Sequence, residues 1–99
     1  MPYAFIQDVP ADETIYGQIR ELLPTETPAG LITHIAIKRD GGLRYVDVWE
    51  TESAWATFRD EHLEPVIEKV LAGYGIPHTH DDVSVEMVDV IDVWPGNVR

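Results

Sequence analysis

Residues 31 to 72 constrain this chain more than any other stretch, because they spell a strand hairpin that runs directly into a tryptophan-bearing helix. The first arm, Leu31-Ile-Thr-His-Ile-Ala-Ile-Lys38, is rich in β-branched residues, which favour strands. Arg39-Asp-Gly-Gly42 supplies the turn, and Leu43-Arg-Tyr-Val-Asp-Val-Trp-Glu50 the second arm. Thr51 can cap the helix that follows. Trp55, Phe58, Leu63, Val66, Ile67, Val70 and Leu71 recur in it at helical spacing. Pro65 removes one backbone donor and should kink or split that helix near Glu61. Gly73 is a natural stop.

The turn sets the register. A two-residue Asp40-Gly41 turn and a four-residue 39–42 loop give the same pairing. Lys38 then faces Leu43, Ala36 faces Tyr45, His34 faces Asp47, Thr33 faces Val48 and Ile32 faces Trp49. Successive side chains alternate across a strand. One sheet face thus carries Leu31, Thr33, Ile35, Ile37, Val46 and Val48. It is the drier set and is expected under the helices. The other carries Ile32, His34, Ala36, Tyr45, Asp47 and Trp49, expected on the open face.

The flanking segments complete the pattern. Tyr3 to Val9 reads as a strand ended by Pro10. Asp12 is an N-cap for a helix from Glu13 to Leu23, with Ile15, Ile19, Leu22 and Leu23 as its apolar stripe and Pro24 as its stop. A last strand is expected from Val83 to Trp94, with a bulge near Met87-Val88 where its alternation changes phase. The order β-α-β-β-α-β gives an α+β, ferredoxin-like sandwich, a four-stranded antiparallel sheet with two helices on one face. At 99 residues the chain is one domain, 1–99. Its open sheet face is best covered by a second copy, a homodimer.

Composition excludes several roles. Eighteen acidic against seven basic residues give a net charge of −11, a surface that repels phosphate backbones and anionic lipid, so no nucleic-acid or membrane partner is expected. Without cysteine there is no disulfide, thiolate metal site or cysteine nucleophile, which fits a cytoplasmic location. The N-terminus has no signal-peptide character, and no apolar run approaches the ~20 residues that span a bilayer.

His34 and Asp47 are the candidate catalytic pair. Directly opposed residues on antiparallel strands place their Cβ atoms ~5 Å apart. A carboxylate there fixes the imidazole tautomer, making a usable acid–base element or a structural ion pair. Tyr45 and Trp49 flank the pair and suit a ligand pocket or a dimer interface. Trp55 and His62 share one helical stripe. His62 suits the mouth of a cavity or a surface position beside the kink. The loop around His78, His80, Asp81 and Asp82 holds two imidazoles and two carboxylates, but no third ligand elsewhere is implied by spacing, so no metal site is assigned.

Gly30-Leu-Ile-Thr-His34, Tyr45-Val-Asp-Val-Trp-Glu50 and Ser53-Ala-Trp-Ala-Thr-Phe-Arg-Asp-Glu-His-Leu-Glu-Pro65 resemble small bacterial proteins of the dimeric α/β-barrel superfamily. The antibiotic biosynthesis monooxygenase-like group is the nearest named one. The resemblance spans about residues 3 to 94. It implies two ferredoxin-like units whose open faces enclose a barrel. For function it implies a cofactor-independent monooxygenase, or an isomerase, acting on a small aromatic or polyketide-like molecule. On that reading His34 is the base, Asp47 orients it, and Tyr45, Trp49, Trp55 and His62 contact substrate. A non-catalytic dimeric module that binds a small molecule or a partner is the alternative. Haem-degrading members carry an asparagine on the first strand and a more widely spaced Trp and His on the second helix. Here Gln7 and Asp8 stand on that strand, so haem degradation is not implied.

Overall fold

The structure, a computed structural model, describes residues 2–75 and 84–94. The strands are β1 (Tyr3–Val9), β2 (Leu31–Arg39), β3 (Gly42–Trp49) and β4 (Ser84–Val88). Helix α1 spans Glu13–Leu22. The second helical stretch runs as α2 (Glu52–Phe58), a π-helical segment (Arg59–Leu63) and α3 (Glu64–Gly73). The strands form one antiparallel sheet in the order β2-β3-β1-β4. This is the expected ferredoxin-like α+β arrangement. Each helical connection joins two parallel strands across one intervening strand, and the right-handed crossover rule sends both to the same face.

Local chemistry starts and stops the helices as the sequence implies. The Asp12 carboxylate accepts the Ile15 N–H at 2.8 Å, and the Thr51 hydroxyl accepts the Ala54 N–H at 3.0 Å. Glu13 and Glu52 add negative charge to the two first turns. Pro65 has its predicted effect in a particular form. It has no N–H for the Glu61 carbonyl, and its ring would crowd that oxygen. The turn just before it widens, with Glu64 N–H donating to the Arg59 carbonyl five residues back, and α3 then restarts with Pro65 in its first turn.

Two glycines are required by close approach. A Cβ on Gly42 would lie 2.0 Å from the Val9 carbonyl oxygen, where the end of β1 meets the hairpin. A Cβ on Gly30, whose φ is +85°, would lie 2.5 Å from the Ala54 Cβ, so glycine lets the entry to β2 pass against α2. Gly17 differs. It sits inside α1 with open space around a would-be Cβ, and costs the helix about 1 kcal/mol relative to alanine with no packing return.

The core lies between the sheet and the second helical stretch. Phe5, Leu23, Leu43, Trp49 and Val70 are buried there, while Ala4 and Val48, direct partners on β1 and β3, are buried on the other side of the sheet. Trp49 is 1% exposed and packs on Trp55 and Phe58, each with ring centroids 5.5 Å away. Phe5 meets Trp55 at 5.0 Å. Removing an indole of this size from water contributes several kcal/mol, the largest single apolar term here.

Three expectations need correction. The first is the sheet faces, which are inverted. Trp49, His34 and Lys38 contact α2 or α1, so the His34, Tyr45, Asp47 and Trp49 face lies under the helices. Thr33, Ile35, Ile37, Val46 and Val48 take the opposite side, where Ile35 and Ile37 are 48% and 43% exposed. The aliphatic set therefore marks the face without helices. The helix-covered face carries polar groups because they satisfy one another. The second concerns register. Pairing holds from Arg39↔Gly42 to Thr33↔Val48, but Trp49 faces Leu31 because Ile32 is bulged out. The third concerns β4, which ends at Val88, opposite Ala4. Residues 89–94 are irregular, and β1 runs out of ladder at Tyr3, so the phase change needs no bulge.

Candidate functional site

Hairpin register brings His34 and Asp47 together, since the two are direct partners across β2 and β3. His34 Nδ1 lies 2.6 Å from Asp47 Oδ1. The other carboxylate oxygen, Oδ2, accepts the Trp49 Nε1–H at 3.1 Å. Asp47 is only 5% exposed, so both its oxygens hold fixed donors in a dry setting, where such bonds matter most. Because Oδ1 accepts from Nδ1–H, the neutral ring is left with its lone pair on Nε2.

That nitrogen is engaged by Tyr16 of α1. The Tyr16 hydroxyl lies 2.9 Å from His34 Nε2 and donates to it in the neutral ring. The Tyr16 and His34 rings are nearly parallel, 7° apart with centroids at 6.1 Å. Tyr45 tilts against both, at 5.6 Å from Tyr16 and 5.4 Å from His34. The result is one hydrogen-bonded chain, Tyr16–His34–Asp47–Trp49, with Tyr45 as an aromatic wall. The His34 side chain keeps 28% of its exposure, although its Nε2 is covered by Tyr16.

Burial raises the Tyr45 hydroxyl well above the ordinary tyrosine range, with the neighbouring Tyr16 and Asp47 adding to the effect. Burial also raises Tyr16, with Arg20 opposing and Asp47 reinforcing. Both phenols are therefore held neutral, and the Tyr16 hydroxyl keeps the proton it donates to His34. Among the described residues, no buried side-chain nitrogen or oxygen is without a hydrogen-bond partner.

Of the residues expected at the site, His34, Asp47, Tyr45 and Trp49 meet. Trp49 is a core residue that donates to Asp47. Trp55 stands one ring further on, half-buried between Trp49 and Phe5. His62 is exposed on the π-helical segment, with its ring 5.9 Å from Phe58. Tyr16 was missed. Its signal is the stripe Tyr16, Ile19, Leu23, spaced three and four apart, which is the inward one. Leu23 is buried at 8% whereas Leu22, assigned to the core stripe, is 47% exposed.

Two surface grooves of about 440 Å³ each lie elsewhere. One runs between α1 and α3 beside Leu22, Lys69 and Tyr74. The other is bordered by Arg59, Asp60, Glu64 and Glu68. Among the described residues no group of three or more His, Asp or Glu is placed to hold a metal. His78, His80, Asp81 and Asp82 lie outside them. No helix among the described residues is long and apolar enough to cross a membrane.

No protein-family model and no curated protein sequence matches the chain. Among solved structures it is similar to Rv0793 from Mycobacterium tuberculosis, with a TM-score of 0.55 and 20% identity over 94% of this chain and 98% of that one. That likeness concerns the fold.

Proposed function

We propose that this chain forms a homodimer whose His34–Asp47 pair performs acid–base chemistry on a small aromatic or polyketide-like molecule, as a cofactor-independent monooxygenase of the antibiotic biosynthesis type. The observation that carries the reading is the 2.6 Å His34 Nδ1–Asp47 Oδ1 contact, with Nε2 on the side walled by Tyr16 and Tyr45. A hydroxyl of the bound molecule gives its proton to Nε2, and Asp47 stabilises the imidazolium that forms. The resulting phenolate or enolate is electron-rich enough to react with dioxygen, the oxidant: a ring C–H becomes a new carbonyl carrying one oxygen atom, and the other oxygen leaves as water with the two hydrogens lost by the substrate. The chain's own share is binding, orientation and the proton. Rv0793 supports the fold on which this rests. The test is oxygen uptake with polycyclic hydroxyaromatic compounds by wild type and by His34→Gln. A loss of about 100-fold or more in the variant supports the base assignment, and equal rates remove it.

The dimer follows from the open face. Ile35 and Ile37 are exposed, with Val46 of β3 beside them, and such a surface is stabilised by burial against its own copy. Light scattering is expected to give twice the chain mass at micromolar concentration, with Ile35→Lys shifting the population to monomer. A persistent wild-type monomer contradicts the dimer. The second reading, a non-catalytic binding module in the cytoplasm, draws on the fact that neither surface groove includes His34.

A further inference from the structure

A base whose lone pair already accepts a hydrogen bond cannot accept a substrate proton until that bond is released. His34 Nε2 is in this state, with the Tyr16 hydroxyl 2.9 Å away. The site is therefore closed by one of its own side chains, and that side chain is a phenol. Resting on the reading above, we propose that Tyr16 is a positioning residue that occupies the ligand's place. On this view α1 is a lid, and the ligand is a planar hydroxyaromatic that displaces Tyr16 and puts its own hydroxyl on Nε2.

The geometry describes the subsite. Tyr16 lies nearly parallel to the imidazole, 7° apart, with its hydroxyl 2.9 Å from Nε2. Tyr45 leans on both rings at 5.4–5.6 Å, forming one wall. A flat ring with one donor at its edge satisfies all of these contacts at once. An aliphatic alcohol would meet the nitrogen but leave the Tyr45 face uncovered.

Three features of α1 suit release. It contains no buried residue. Apart from Tyr16, its polar side-chain tie to the sheet among the described residues is the Glu13–Lys38 ion pair, 3.0 Å long and more than two-thirds exposed on both partners, a kind that holds weakly. Gly17, next to Tyr16, loosens the helix and has nothing within 4 Å of a would-be Cβ that demands a glycine.

The test uses p-cresol, which reproduces the tyrosine side chain, with toluene as the hydroxyl-free control. Binding is measured by calorimetry together with the ¹⁵N shift of His34 Nε2, in wild type, Tyr16→Phe and Tyr16→Ala. In Tyr16→Ala the vacated place takes p-cresol at least tenfold more tightly than wild type and more tightly than toluene, and Nε2 shifts on binding. Tyr16→Phe keeps the ring but not the competing hydrogen bond, so p-cresol binds it severalfold more tightly than wild type. The proposal is overturned if toluene binds Tyr16→Ala as well as p-cresol does. It is overturned equally if neither variant gains affinity while Tyr16→Phe remains folded by circular dichroism. Because the readout is binding, p-cresol capture together with no oxygen uptake on polycyclic hydroxyaromatic compounds would sustain the lid and remove the oxygenase reading instead.

Discussion

His34 and Asp47 stand directly opposite one another on β2 and β3, and their Nδ1 and Oδ1 atoms are 2.6 Å apart. The backbone ladder sets this pair. It persists whatever occupies the site, because hairpin register would have to slip to break it, and a slip would drive Trp49 out of the core.

Asp47 carries stability as well as chemistry. Asp47→Ala leaves Trp49 Nε1–H and His34 Nδ1–H without acceptors beneath the helices. A loss of about 3 kcal/mol is expected in urea denaturation. Asp47→Asn keeps the shape and one acceptor oxygen, so it should lose less stability while lowering turnover as much as His34→Gln. An alanine variant as stable as wild type would show that the chain of hydrogen bonds contributes nothing to the fold.

The glycines should separate by sign. Gly17→Ala fills open space in a helix and is expected to raise stability by about 0.5–1 kcal/mol. Gly30→Ala puts a Cβ 2.5 Å from that of Ala54 at a φ of +85°, and a loss of about 2 kcal/mol or more is expected. Thermal unfolding of the two variants side by side checks both signs.

Asp8 governs the acid limb. Arg44 binds it through two bonds of 2.8 and 3.1 Å, and Arg39 closes on the same carboxylate. These guanidiniums hold its carboxyl well below the ordinary aspartate range. A depressed carboxylate stabilises the fold above its unfolded value of about 3.9 and stops doing so as pH falls toward its folded value. The difference in melting temperature between wild type and Asp8→Asn should therefore be flat above about pH 5 and shrink as pH falls below 4. It should also narrow in high salt, because both arginines are partly exposed. A difference that grows on acidification would contradict the assignment.

Tyr45 governs the alkaline limb. Burial raises its ionisation, so the unfolded chain loses this proton first. Its stabilisation is complete below about pH 10 and declines above it. Ultraviolet titration should show Tyr16 and Tyr45 ionising above the ordinary tyrosine range, and Tyr45→Phe should remove one of these late steps.

Much of this was legible in the chain. Asp40-Gly41 and the alternation of the two arms gave the register that joins His34 to Asp47, and Pro65 marked the break that became a π-helical segment. The face under the helices was not legible by dryness, because the aliphatic set Thr33, Ile35, Ile37 and Val46 belongs to the side that the helices leave uncovered. A better guide was the short Glu50-Thr51 link, which sets Trp49 directly beneath α2. Tyr16 was hidden because the α1 stripe was read as Ile15, Ile19, Leu22 and Leu23, and only tertiary packing shows that Leu22 points outward. The bulge at Ile32 carries no signal in the local pattern of β2.

The central claim is that Asp47 fixes the His34 ring so that Nε2 is its working atom. Nitrogen-15 NMR of the neutral imidazole reads this directly. The account predicts the Nδ1–H tautomer in wild type, with a non-protonated Nε2 and a hydrogen-bonded Nδ1 proton that is lost in Asp47→Ala. A neutral ring protonated at Nε2, with Nδ1 free, would contradict it.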